Sequence, residues 1–216
     1  MYAISHAATA LALKRRFPTA LLWPLLISVQ AIELLWVVFV YVGVERVDYA
    51  RHTVHLGFLP YSHSIGSTAL LALLVWAYVR YGRRNPTVAL ALAIGVLSHV
   101  MLDIIHHEPD IALFPIASSP RIGFGLATKP VVDLAVEVLY GLTCWFLFRG
   151  SRALFAVIVA FNLMDIPLMF PQLGSIALLA RHPAILPTVI LGQIVLTWTG
   201  VWYFARLPMG RTTGGA

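Results

Sequence analysis

The sequence predicts an all-α protein: a polytopic transmembrane helical bundle of six to seven spans with its C-terminus in the cytoplasm. Two observations lead there. Sixty per cent of the 216 residues are hydrophobic and only 11% are charged, with a mean hydropathy of +0.85, whereas ordinary soluble domains carry roughly 25% charged residues. Apolar runs bounded by charge, Pro or Gly recur at 3–13, 19–43, 61–79, 86–107, 131–148, 153–172 and 184–205, and about 20 apolar residues suffice to cross a bilayer. Residues 1–207 therefore read as one transmembrane domain, followed by a flexible tail over 208–216.

The first run is short and precedes Lys14-Arg15-Arg16, the reverse of the order in a signal peptide, so it belongs to the mature protein. At 1.5 Å per residue it reaches about 17 Å, which leaves open a full span or a half-helix. In the second run Gln30 and Glu33 lie three apart and face the bundle axis together. Pro60-Tyr-Ser-His-Ser64 opens the third, with Ser62 as the expected N-cap and Ser64 bonding the local backbone. Those roles account for the serines and leave His63 unexplained. In the fourth run, 3.6 residues per turn puts His99, Asp103 and His106 on one face. Asp133 and Glu137, four apart, share a face of the fifth; a helix N-terminus accounts for Asp133 through its dipole, so Glu137 carries more weight. Asn162 and Asp165 precede Pro167 in the sixth and read as structural.

The charges set the topology. Lys14, Arg15, Arg16, Arg80, Arg83, Arg84, Arg149, Arg152, Arg206 and Arg211 fall on one side of the alternating spans, and Arg46, Arg51, Arg121, Lys129 and Arg181 on the other. Ten against five makes the first side cytoplasmic, so the net charge of +6 is topological and nucleic acid is not a partner. Of the nine acidic residues, Glu45, Asp48, Glu108 and Asp110 fall in external loops, while Glu33, Asp103, Asp133, Glu137 and Asp165 lie within or near spans. The histidines map to the outer side too; His52, His55 and His182 read as interfacial loop residues. The 108–130 loop mixes Pro and Gly with apolar residues, as a segment packed over a site would. The single cysteine, Cys144, excludes an intrachain disulfide and Cys-rich metal modules.

Burying a carboxylate in lipid costs roughly 2.5–3.5 kcal/mol even on insertion scales. Five of them demand partners. A His–Asp hydrogen bond within the core would satisfy one pair, but His63, His99, Asp103, Glu33 and Glu137 come from four helices at comparable depth, as a metal site in a bundle requires. His106 shares the face of His99 and joins the candidate ligands. Mixed His and carboxylate donors suit Zn, Mn or Fe. A divalent ion with an open position lowers the pKa of bound water toward about 7, and Glu137 or Asp110 would serve as general base.

At these residues the sequence resembles the bacterial membrane-bound metal-dependent hydrolases, a group that includes the LexA-regulated inner-membrane hydrolase. Tyr61-Ser-His-Ser64 is similar to the family's Ser/Thr-His-Ser motif, Leu97-Ser-His-Val-Met-Leu-Asp103 to its Ser-His-x-x-Leu-Asp motif, and Ser5-His6 to its opening. The resemblance covers most of residues 1–110 and implies a metal-centred site at His6, His63, His99 and Asp103. Two departures stand out: Val29-Gln-Ala-Ile-Glu33 replaces a Pro-Asp-x-x-Asp type segment, and Leu59-Pro60 replaces a basic Arg-Gly.

The expected function is hydrolysis of an ester or phosphoester of a lipid or amphiphile near the outer leaflet of a bacterial inner membrane, with membrane lipids as surroundings. The alternative is a non-catalytic membrane subunit or scaffold that docks other membrane proteins, or a homo-oligomer. A proton or cation pathway finds almost no ionisable groups in the inner halves of the spans to continue it.

Overall fold

A computed structural model describes residues 1–48, 55–58, 61–170, 173, 179 and 181–207; the expected tail at 208–216 lies outside them. The chain is mostly helical. Helix α1 (Ala3–Arg16) ends on its three basic residues, and Lys14 folds back to donate to the carbonyls of Pro18 and Ala20 at 2.7 and 2.8 Å. The 19–43 run does not form one straight span. It divides into α2 (Leu22–Val29) and α3 (Ala31–Tyr41), bent by 53° at Gln30. Strands β1 (Arg46–Asp48) and β2 (His55–Phe58) then pair antiparallel.

Helix α4 (Ile65–Ala77) runs on into a π-helical turn at Tyr78–Gly82. Its N-cap is Ser64, which accepts from the Ser67 amide at 3.1 Å. This corrects the expectation for Ser62, whose hydroxyl is committed elsewhere. Helix α5 (Pro86–His106) starts from an Asn85 cap with Pro86 in its first turn, where the missing N–H costs nothing. A small hairpin of β3 (Ile111–Ala112) and β4 (Arg121–Ile122) follows. Helices α6 (Pro130–Phe148), α7 (Arg152–Met164), α8 (Ile166–Met169) and α9 (Ile185–Phe204) follow among the described residues.

Among the described residues, five helical stretches are long and apolar enough to cross a membrane: Ile65–Gly82, Pro86–His106, Pro130–Phe148, Arg152–Met169 and Ile185–Phe204. The bent α2–α3 pair makes a sixth if it counts as one span. The exposed Leu70, Leu73 and Leu74 of α4, Leu139 and Phe146 of α6 and Leu196 of α9 fit a multi-pass membrane protein, whose outer surface is as apolar as its core. Helix α1, at 14 residues, is about 21 Å long. It is nonetheless central, packed against α2, α5, α6, α7 and α9, because fully buried Ala7, Ala8 and Ala10 let neighbouring backbones come close.

The same economy of volume governs the α2–α5 contact. A Cβ on Gly95 would lie 2.1 Å from the Ser28 hydroxyl oxygen, so only glycine permits this approach. One turn further along, it is α5 that carries His99. Gly95→Ala is therefore expected to destabilise the protein by about 1–3 kcal/mol, read as a lower midpoint of thermal unfolding in detergent. Gly192→Ala, where nothing lies within 4 Å of the added methyl, should leave that midpoint nearly unchanged.

Candidate metal centre

The site forms where the starts of α1, α4 and α6 meet the end of α5. Lys14 to Arg16, Arg80, Arg83 and Arg149 sit at the opposite ends of these helices, while Lys129 caps the start of α6. His6 is on the second turn of α1, Glu33 on the first turn of α3, and His63 lies just before the Ser64 cap of α4. His99, Asp103 and His106 lie on the last turns of α5.

Two orienting bonds determine what the imidazoles present. At the α2–α3 break the Val29 carbonyl lies 2.8 Å from His99 Nδ1. A carbonyl only accepts, so Nδ1 carries the hydrogen and donates it. Nε2 of the same buried ring then makes no hydrogen bond, although Asp103 Oδ2 is 3.1 Å away and Glu33 Oε2 3.5 Å away. His63 shares the orienting bond at Nδ1, but its Nε2 hydrogen-bonds Glu33. Its Nδ1 is 2.8 Å from Ser62 Oγ, and its Nε2 lies 3.2 Å from Glu33 Oε2 and 3.9 Å from Asp103 Oδ2. His6 stacks on His99, ring centroids 4.0 Å apart, with Nε2 3.3 Å from Asp103 Oδ1 and 3.0 Å from the Met1 carbonyl; its Nδ1 has no hydrogen-bond partner.

Two imidazole nitrogens thus aim at two carboxylates, an arrangement that is repulsive unless a proton or a metal ion stands between them. The Met1 amine supplies one positive charge, 2.8 Å from Asp103 Oδ1. Burial works against that charge, but Asp103, followed by Glu137, outweighs it and raises the amine above its ordinary pKa. The donor set fits a divalent ion. His6, His99 and Asp103 form one group able to hold it, and Glu33, His63 and His99 another, with donor atoms in each group lying within 4.8 Å of one another.

His106 and Glu137 belong to a third such group, completed by Asp133. His106 shares the face of His99, but seven residues carry it about 10 Å along the helix axis, where it meets α6: Nδ1 is 3.2 Å from Asp133 Oδ1 and 4.0 Å from Glu137 Oε1. Glu137 is fully buried; one oxygen accepts the Ser5 hydroxyl and the other the Tyr2 amide. Asp110, the other expected base, lies in the α5–β3 connection, 3.7 Å from His107 Nδ1. Gln30 reaches α1, donating to the Ala3 carbonyl at 2.9 Å, and Asp165 accepts from Gln193 at 2.9 Å. Asn162 donates to the Ile158 carbonyl, a structural bond.

Sequence reasoning missed Glu45. Its place between Val44 and Arg46 reads as a solvated loop, yet it is 1% exposed and accepts from Ser62 and from two backbone amides. No local periodicity marks it, because its partners are 16 and 17 residues away.

A cavity of about 200 Å³ joins the groups, lined by His6, Glu33, His63, Asp103 and His106 and also by the apolar Trp36, Met169, Leu186 and Ile190. Asp110 and Gln193 also line it. Compared with known proteins, the chain matches no family model, no curated protein and no solved structure.

Removing the Ser5 hydroxyl deprives a buried carboxylate of a donor, at a cost of about 1–3 kcal/mol. Ser5→Ala should lower the thermal unfolding midpoint in detergent. Ser98→Ala, which loses only a bond to a carbonyl of its own helix, should lower it far less.

Proposed function

We propose that this chain is a metal-dependent hydrolase of a bacterial inner membrane, acting on an ester or phosphoester of a lipid or amphiphile near the outer leaflet. The observation that carries the reading is the pair of Nε2 atoms on His63 and His99, each turned by its Nδ1 bond toward Glu33 and Asp103. The resemblance of the Ser-His-Ser and Ser-His-x-x-Leu-Asp segments to a hydrolase family agrees with it. The ten-to-five distribution of basic residues favours a cytoplasmic C-terminus and a site toward the outer face.

His63, His99, Asp103 and Glu33 would hold a Zn, Mn or Fe ion, with His6 against Asp103 as a further ligand. His106, Asp133 and Glu137 offer a neighbouring position. A divalent ion there would polarise a substrate carbonyl or phosphoryl oxygen and bring bound water toward ionisation near neutral pH. The chain's own part is to place and desolvate. The apolar lining residues Trp36, Met169, Leu186 and Ile190 would receive an acyl or similar tail beside the polar groups. Glu137 or Asp110 would take a proton from water, Asp110 lining the cavity and Glu137 standing beside His106.

Elemental analysis of the detergent-purified protein, prepared without chelator, tests the reading. Wild type should hold stoichiometric divalent metal, and a His99→Ala plus Asp103→Ala variant that still folds should lose it together with hydrolysis of lipid esters or phosphoesters. An Asp133→Asn plus Glu137→Gln variant should lose only the fraction bound beside His106. A metal-free wild type that takes up none when metal is offered back would defeat the proposal and favour a membrane scaffold.

A further inference from the structure

Glu45, Ser62 and His63 form a chain whose direction is dictated by its first member. A carboxylate has no hydrogen to give. Its Oε1 accepts the amides of Tyr61 and Ser62 at 2.9 and 2.8 Å, and its Oε2 faces Ser62 Oγ at 2.6 Å. The hydroxyl has one hydrogen and must spend it on Glu45. Ser62 Oγ is therefore left as an acceptor toward His63 Nδ1, 2.8 Å away. The ring answers by carrying a hydrogen on Nδ1, and Nε2, hydrogen-bonded to Glu33 Oε2 at 3.2 Å and 3.9 Å from Asp103 Oδ2, is the nitrogen whose hydrogen a metal ion would replace. Glu45, Ser62 and His63 are all buried, so water does not compete for these bonds.

We propose that Glu45 is a positioning residue that, through Ser62, fixes which nitrogen of His63 bears hydrogen and so keeps Nε2 available as a ligand. Metal-binding histidines commonly owe their orientation and tautomer to such an outer partner, whose loss costs 10–100-fold in metal affinity. Here the partner is reached through a hydroxyl, and it comes from the loop after α3 rather than from a helix. Only the metal-affinity arm of the test rests on the metal-centre reading.

The informative substitution is Glu45→Gln. Because Oε1 already takes two backbone amides, the side-chain amide keeps its oxygen there and puts its NH2 where Oε2 stood. That NH2 donates to Ser62 Oγ, the hydroxyl turns to donate to His63 Nδ1, and the hydrogen of the ring is forced to Nε2. The loop anchor is preserved while the polarity of the chain is reversed. Ser62→Ala removes the relay, and Ser62→Thr keeps a hydroxyl.

The primary readout is nitrogen NMR of histidine-labelled protein in detergent, with the His63 signals assigned by their loss in His63→Asn. Wild type and Ser62→Thr should show Nδ1 protonated. Glu45→Gln should show Nδ1 bare and Nε2 protonated, and Ser62→Ala should lose the preference for Nδ1. The second readout is Zn2+ affinity by competition with a chromophoric chelator. It should fall about 10–100-fold in Glu45→Gln and Ser62→Ala and recover in Ser62→Thr. A wild-type ring with Nδ1 unprotonated, or a Glu45→Gln ring unchanged from wild type, overturns the proposal. If wild type binds no Zn2+, the metal reading fails, and the NMR result alone upholds or overturns the assignment to Glu45.

Discussion

Carboxylates buried without basic side chains are the constraint around which this bundle is organised. Asp103, Asp133, Glu137 and Asp165 are all buried. Together with Glu33 they find histidines, hydroxyls, amides and one amine as partners, and among the described residues none pairs with Lys or Arg. Removing a charge from water without compensation costs several kcal/mol. Every element that reaches this end of the bundle contributes something toward that compensation: α1 brings His6 and Ser5, the α2–α3 bend a carbonyl, and the loop before α4 His63. Basic residues do occur at this end, Lys129 as the cap of α6 and Arg46 beside Glu45, but the carboxylates of the site are matched by other groups.

Much of this was legible in the sequence because membrane helices obey a simple code. The seven apolar runs coincide closely with α1, the α2–α3 pair, α4 with its π turn, α5, α6, α7 with α8, and α9. Helical periodicity placed His99 beside Asp103 and Asp133 beside Glu137, which the structure reproduces. It also placed His106 on the His99 face, as found, but face is an angular property; axial distance decided that His106 meets α6 rather than His63.

What local pattern could not carry is the tertiary part. The run 19–43 has no Pro or Gly near residue 30, so nothing in it announces a bend, and Gln30 earns its place by bonding α1. Glu45 looked like a loop residue because hydropathy reports composition, not enclosure. Ser62 and Ser64 are equally good caps by type; Glu45 recruits the first and leaves the second for the helix. In each case the deciding partner is distant in sequence.

That distance has a consequence for biogenesis. The partners of α1 at the site are 102 residues away at Asp103 and 132 to 135 away at Glu137, and its flank is closed by α9. Contacts so far apart form only after long stretches of chain have been ordered. The polar side of the first helix has its site partners only once α5 and α6 are in place. The centre is thus assembled late, and a chain arrested before residue 137 would hold His6, Glu33, His63 and Asp103 without the carboxylate that anchors Ser5 and Tyr2.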